Sequence, residues 1–262
     1  MMATVLIAAS GMAWMVHRAR VQRDAVAAIH RAHGYCWYEW RVVSKDGLFV
    51  SQGSPRAPKW LLDTIGVDHF GSVIAVSVAP GHRPQYGLVG CIAQLNRLEE
   101  LTLCSSLLSD REMAQIGGLR RLKKLDLGGC RFTELGISKL SQLDQLSILN
   151  LQGASVSDAG VANLVSLKQL QRLDLRDTMI TDAGLSRLRD LPNLRVLLIS
   201  GPRFSDATVV GLHQALPNLT IVAPDRSDLS IYRSVVLHSQ SIPTVARLAK
   251  PNLPDRGPSP GR

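Results

Sequence analysis

Cysteine is scarce in this chain and never paired in sequence. Cys36, Cys91, Cys104 and Cys130 form neither a C-x-x-C pair nor a clustered cap, which argues against a disulfide framework and for a reducing compartment. Also missing are a G-x-x-x-x-G-K-S/T phosphate loop, a G-x-S-x-G nucleophile elbow and any zinc-ligand spacing. His30 and His33 stand three apart and Asp68 precedes His69, but no third ligand is suitably spaced, so both pairs read as surface polarity and capping. The expectation is a non-enzyme with no catalytic residues, no metal and no cofactor. A charge excess is absent where it would matter most. The chain is formally +9, with 30 basic and 21 acidic residues, yet residues 98–222 hold 14 basic against 13 acidic. The surplus lies in residues 1–60, with 8 basic against 3 acidic, and in residues 223–262, with 6 against 3. A nucleic-acid surface needs cations clustered along the scaffold itself, so no nucleic acid is expected as partner. A basic segment beside anionic lipid accounts better for the distribution.

What the chain does have is a sentence repeated five times at a period of 24 residues, starting at Leu98, Leu122, Leu146, Leu170 and Leu194. Leu101, Leu125, Leu149, Leu173 and Leu197 follow three residues later, then Leu103, Leu127, Leu151, Leu175 and Ile199, alternating as a short strand does. A small-residue column comes next (Ser106, Cys130, Ala154, Thr178, Pro202), then an apolar one (Leu108, Phe132, Val156, Ile180, Phe204). Ser109, Thr133, Ser157, Thr181 and Ser205 are positioned to cap a helix. The acid after each (Asp110, Glu134, Asp158, Asp182, Asp206) favours the positive end of its dipole, which explains this column better than a calcium ladder does. Met113, Ile116 and Leu119, and later Leu185, Leu188 and Leu191, supply buried helix faces. Each repeat is therefore strand, turn and short helix. One such unit cannot cover its own apolar faces, so the fold class expected is an α/β leucine-rich solenoid, a horseshoe with parallel strands on its concave face and short helices on its convex face.

The segments LQRLDLRDTMITDAGLSRLRDL (170–191) and LSILNLQGASVSDAGVANLVSL (146–167) resemble leucine-rich repeats of the I-T-D-A-G-L type. That type occurs in bacterial repeat proteins and, in a longer cysteine-containing form, in eukaryotic ubiquitin-ligase adaptors. The stretch from Arg18 to Val78 resembles the lead-in of bacterial members that follow a short apolar N-terminus with a helix, an aromatic strand and the array. The resemblance is specific for the fold and poor for function. Arg111-Glu112-Met113 and Glu134-Leu135-Gly136 depart from Asp-Ala-Gly, and Pro202 departs from the small-residue column, so the first and last repeats are expected to bend or to act partly as caps.

Around the array, residues 1–17 read as a membrane anchor: Met1 to Val16 is uncharged and mostly apolar, followed by His17, Arg18, Arg20 and Arg23. Sixteen residues fall just short of the roughly 17–25 that span a bilayer, and a cleaved signal or a merely apolar helix remain alternatives; no basic region precedes the run, as a signal would require. The basic flank places the array in the cytoplasm. Residues 18–97 are expected to form a mixed cap: a helix from Val21 to Ala32 ending at Gly34, an aromatic strand with Tyr35, Trp37 and Glu39 on one face and Cys36, Tyr38 and Trp40 on the other, and a partner strand from Leu48 to Ser51 through a turn at Lys45-Asp46-Gly47. A short helix around Trp60, Leu61 and Ile65 and a degenerate repeat strand at Val73, Val76 and Val78, 25 residues before Leu98, complete it. Residues 98–222 form the array, with a last strand at Leu219, Ile221 and Val222. Residues 223–262, rich in Pro and Arg, read as a disordered tail in which Ile231 to Leu237 offers local packing.

Alternation with the leucines points Glu100, Thr102 and Cys104; Lys124, Asp126 and Gly128; Ile148, Asn150 and Gln152; Arg172, Asp174 and Arg176; and Val196, Leu198 and Ser200 out of the concave face. Either these side chains satisfy one another across strands, as Lys124 beside Glu100 would, or they form a docking surface with a polar middle and an apolar end at Val196 and Leu198. Six strands about 4.8 Å apart, each exposing about 17 Å, make a patch of about 400–500 Å², enough for a peptide, a loop or a small domain. The expected function is a monomeric protein- or peptide-binding scaffold tethered to a membrane. The alternatives are a substrate-recognition adaptor of a multi-subunit, ubiquitin-ligase-like enzyme, and a binder of anionic surfaces or nucleic acid through the basic ends.

Overall fold

A computed structural model describes residues 2–43, 49–52, 58, 60, 68, 71–78, 87–200 and 204–223. The expectations for Lys45 to Leu48, Leu61, Ile65, His69, Pro202 and residues 224–262 lie outside the described residues.

Repetition of one leucine pattern forces one strand onto the next in constant register. An eight-stranded sheet runs β1 (Gly34–Tyr38), β4 (Val73–Val78), β5 (Glu100–Leu103), β6 (Lys124–Asp126), β7 (Ile148–Asn150), β8 (Arg172–Asp174), β9 (Val196–Leu198) and β10 (Thr220–Val222). From β4 to β10 every pairing is parallel. Leu101 faces Leu125, which faces Leu149, Leu173 and Leu197 in turn. Val76 faces Leu101, so the degenerate first repeat stands at a spacing of 25. The leucine columns are all but sealed, with Leu101, Leu125, Leu149, Leu173 and Leu197 at 0–1 % exposure. Met113, Ile116, Leu185, Leu188 and Leu191 close the core from the helical side at 0 %.

After β5, β6, β7 and β8 the chain turns through one left-handed residue, at Ser105 (φ 54°), Gly129 (68°), Gly153 (66°) and Asp177 (57°). Two of the four are not glycine and carry the steric cost of that conformation. Short helices then return along the convex face: Asp110–Gly117, Glu134–Ser138, Asp158–Leu164, Asp182–Arg187 and Asp206–Ala215. Two of them continue as 3-10 turns, Lys139–Gln142 and Leu188–Asp190.

The hydroxyl column caps these helices as expected. Ser109 forms a full capping box with Glu112, and Thr133, Ser157, Thr181 and Ser205 each accept a backbone N–H of the first turn. The acidic column does more than favour its own dipole. Asp110 accepts from the Thr133 hydroxyl at 2.5 Å, Glu134 accepts from Ser157, Asp158 takes both the N–H and the hydroxyl of Thr181 at 2.8 and 2.6 Å, and Asp182 accepts the Ser205 N–H at 2.9 Å. Each acid therefore stitches its repeat to the next. The glycine of the Asp-Ala-Gly triplet leaves room for the stitch, since a Cβ at Gly184 would run into Asp158 and one at Gly160 would stand 3.0 Å from Glu134 Oε2. Burial works against ionisation of Asp158, but the Thr181 hydroxyl and N–H, the Gly184 N–H and Arg187 outweigh it and hold the carboxyl below its ordinary range. In the first repeat Glu112 stands where the next three repeats have glycine, and there it closes the capping box.

At the N-terminal end the structure departs from expectation in two places. The apolar run and the Val21–Ala32 helix are one continuous helix, α1 (Met2–Arg31), 30 residues long. Helical geometry carries through because no proline or helix-ending glycine separates them. Among the described residues no helix is long and apolar enough to cross a membrane. The left-handed residue that ends α1 is His33, not Gly34; Gly34 is needed for space, since a Cβ there would lie 2.8 Å from Ile29 and 3.0 Å from the Ser77 carbonyl. The aromatic strand is also two strands. β1 pairs antiparallel with β4 and covers the open end of the sheet, whereas β2 (Arg41–Val43) pairs with β3 (Phe49–Gln52) in a separate two-stranded ribbon. Between them Trp40 stacks on Tyr38, ring centroids 4.7 Å apart, and fills the space a Gly71 side chain would need. Of the short helix expected around Trp60, only Trp60 is described, helical and exposed.

Asp68 holds this cap together. Its Oδ1 accepts from the Tyr38 hydroxyl at 2.8 Å and Gln22 Nε2 at 3.1 Å, and Arg23 approaches its Oδ2 at 3.7 Å. The surface role expected of Asp68 is thus a buried link between α1 and β1.

Candidate functional site

Strand register lays the outward side chains in rows across the concave face. One row runs Trp37, Ala75, Glu100, Lys124, Ile148, Arg172, Val196 and Thr220; the next runs Tyr35, Ser77, Thr102, Asp126, Asn150, Asp174, Leu198 and Val222. Sequence alternation assigns the middle of both rows correctly. It does not place Tyr35 and Trp37 there, because their membership depends on the antiparallel pairing of β1 with β4. Their rings lie 6.4 Å apart and make an aromatic lip at one end, with Tyr35 63 % exposed. Beyond the lip Glu39 pairs with Arg97 at 3.5 Å.

The rows differ in what their polar groups are occupied with. In the second row Asp126, Asn150 and Asp174 each accept the backbone N–H two residues on, at 2.9, 3.0 and 3.1 Å, which turns the chain out of the strand. These three identities therefore serve the fold as well as the face. Asp174 is buried at 5 % and gripped by Arg176, Nε to Oδ1 at 2.9 Å and Nη2 to Oδ2 at 2.6 Å. Arg176 also donates to Gln152 Oε1 at 3.0 Å, Gln152 donates to Asp177 at 3.2 Å, and the Ser200 hydroxyl donates to Asp177 at 2.9 Å. Leu198 is buried at 5 %, so of the apolar end expected from Val196 and Leu198 only Val196 is partly exposed.

In the first row Lys124 meets Glu100 at 3.4 Å, the cross-strand pair expected from sequence, with both side chains well solvated. Ile148 and Val196 are half-buried, and between them stands Arg172, half-exposed and, among the described residues, without an ion-pair partner. Thr102 lies between the Ser77 and Asp126 positions.

Burial holds the thiols on and beneath the face in their protonated form. Burial and the nearby Asp68 carboxylate push the Cys36 thiol up to about 11. Cys104 rises to about 11 through burial, Asp126 and Cys130. Cys130 reaches about 11 chiefly through burial, and its Sγ donates to the Leu103 carbonyl inside the core. Among the described residues no three of His, Cys, Asp and Glu converge as a metal site. The strands from β6 onward are three residues long, while β1, β4 and β5 have five, six and four, so eight strands about 4.8 Å apart and on average about 12 Å long give a face of about 450 Å².

Residues 119–141 and 168–188 match a family profile described as leucine-rich repeat. None of the curated proteins matches the chain. Solved structures similar to it include internalin C2 of Listeria monocytogenes, 22 % identical, covering 64 % of this chain and 79 % of that one at a TM-score of 0.45. A leucine-rich-repeat protein of Leptospira interrogans is 24 % identical over 50 % of this chain and 33 % of its own, TM-score 0.41. The leucine-rich-repeat ectodomain of the receptor kinase SOBIR1 of Arabidopsis thaliana is 17 % identical over 70 % and 94 %, TM-score 0.38. The fold is a leucine-rich-repeat solenoid. Its proof is the uniform parallel register and the sealed leucine columns.

Proposed function

We propose that this solenoid is a non-enzymatic scaffold that captures a protein segment across its concave face, and that the apolar start of α1 holds it against a membrane surface. The observation that carries the binding reading is the first row: Trp37 at one end, then the Glu100–Lys124 pair, Ile148, Arg172, which has no ion-pair partner among the described residues, and Val196. Aromatic residues and arginine dominate binding hot spots, and a charge that the fold leaves without an ion pair is available to a ligand. Trp37 and Arg172 stand five strands apart, about 24 Å, the span of about seven extended residues. A peptide or loop crossing the strands would touch both. The face is below the roughly 800 Å² per partner of a standard interface, so concentration at a surface, or contacts from the lip and loops, must add to it.

Membrane apposition is supported by the uncharged run Met1 to Val16, by Trp14, Met15 and Val16 at 58, 55 and 51 % exposure on a helix that only further along packs into the cap, and by the basic collar after it. The anionic cytoplasmic leaflet attracts such a collar, which sets the array on the cytoplasmic side. Attachment here needs partition of the helix end into lipid, not a full span.

The test of the binding reading is a partner capture series with Arg172→Glu and Trp37→Ala. Asp174 is unsuitable for it because it supports the strand end. Each substitution should weaken capture about tenfold or more while leaving the circular dichroism unchanged; undiminished capture by both would move the site off the concave face.

A further inference from the structure

Where α1 leaves the body of the protein, a cleft of about 170 Å³ opens between the helix and the first repeat, lined by Trp14, His17 and Arg18 on one side and by Leu95, Asn96 and Arg97 on the other. That is room for about five water molecules. Its lining contains no acidic residue. Arg18 is half-buried, donates to the Ser72 hydroxyl and lies 5.6 Å from the centre of the Trp14 ring; among the described residues it meets no carboxylate. Arg97 leans toward Glu39 at 3.5 Å across a solvated gap, a weak pair that leaves it free to turn. Val21, Val73 and Leu95 add apolar wall. The cleft is therefore cationic at its rim and apolar along one side, and the uncharged run ends at its edge, with Trp14 belonging to both.

We propose that this cleft binds the phosphodiester of an anionic lipid headgroup, with Arg18 as its principal donor and Arg97 as the second. Resting on the membrane apposition proposed above, it assigns that contact a specific site. Arg18 is already oriented by Ser72 and Trp14, so its free N–H groups can meet phosphate oxygens without ordering a loose side chain. Trp14 stands at the level where an amphipathic ring favours the headgroup region. The apolar wall suits the glycerol and first methylenes of a lipid better than a free inorganic anion.

The experiment is co-flotation of the full chain with phosphatidylcholine vesicles and with equimolar phosphatidylcholine–phosphatidylglycerol vesicles, for the native chain, Arg18→Gln, Arg97→Gln and Arg20→Gln. Arg20 is exposed on the same helix but outside the cleft, so its substitution reports diffuse attraction alone. Arg20→Gln should weaken binding to the anionic vesicles about fivefold, Arg18→Gln about fiftyfold, and Arg97→Gln by an intermediate factor, with binding to neutral vesicles unchanged in all three. Equal losses for Arg18→Gln and Arg20→Gln, with neutral-vesicle binding retained, would overturn the site and leave membrane apposition standing. A native chain that floats with neither vesicle would overturn both. Saturable calorimetric binding of free glycerol phosphate, lost in Arg18→Gln and no weaker than binding to the anionic vesicles, would overturn the lipid as source.

Discussion

The repeat array and the N-terminal cap share one hydrophobic core but are tied by different kinds of polar contact. In the array the links between successive helix starts are local and copied: Asp110 to Thr133, Glu134 to Ser157 and Asp158 to Thr181 bridge 23 residues each. In the cap the links are long and single: Asp68 gathers Tyr38 from 30 residues away and Gln22 from 46. A copied contact is redundant, because its loss leaves others of the same kind on either side, whereas a single hub has no substitute. The array should thus fail piecemeal and the cap as a unit.

The sharpest way to break that contrast is Leu149→Ala in the middle of the array. Leu149 is 0 % exposed, and its truncation should cost about 3–5 kcal/mol by chemical denaturation. Hydrogen exchange should quicken around β6 to β8 while β1 and β4 keep their protection; uniform quickening would make cap and array one cooperative body. Asp68→Ala comes next. It strands the Tyr38 hydroxyl and removes one of the two acceptors of the Gln22 amide, which keeps the Gly71 carbonyl, and should cost about 2–3 kcal/mol, with β1 exchange rising first. Gly184→Ala should cost about 1–3 kcal/mol by crowding Asp158, and most of that should vanish in an Asp158→Ala background, as a double-mutant cycle measures.

Acid probes the stitches more gently. Because the folded Asp158 carboxyl titrates below its ordinary value of 3.8, its contribution is present above the unfolded value and is lost as pH falls through the folded one. The native chain should therefore lose more melting temperature between neutral pH and about pH 3 than Asp158→Asn does. The smallest effect runs the other way: Ser105→Gly relieves a left-handed residue and should stabilise by about 0.5–1 kcal/mol, with no gain at Gly129, where the same position is already glycine.

Legibility followed the same division. Leucine columns, helix caps and the Glu100–Lys124 pair were readable because a fixed period places each residue beside its copy. The offset of 25 at Val76 was readable for the same reason. Unreadable were the merger of the apolar run with the first helix, the break between Tyr38 and Arg41, and the role of Asp68, since none of these repeats. On the concave face the pattern told which residues point outward but not which remain available. Asp174 and Leu198 point outward and are buried, while Tyr35 and Trp37 join the face from outside the array.

The sequence by itself determined the solenoid, its strand register and the stitched helix starts, because neighbours 24 residues apart carry identical information and must meet. Only the tertiary structure decided where the concave face ends and what borders it. The antiparallel return of β1, the grip of Arg176 on Asp174 and the cleft beneath Trp14 each join residues with no periodic relation, and contacts of that kind become specified only when the whole chain is in place.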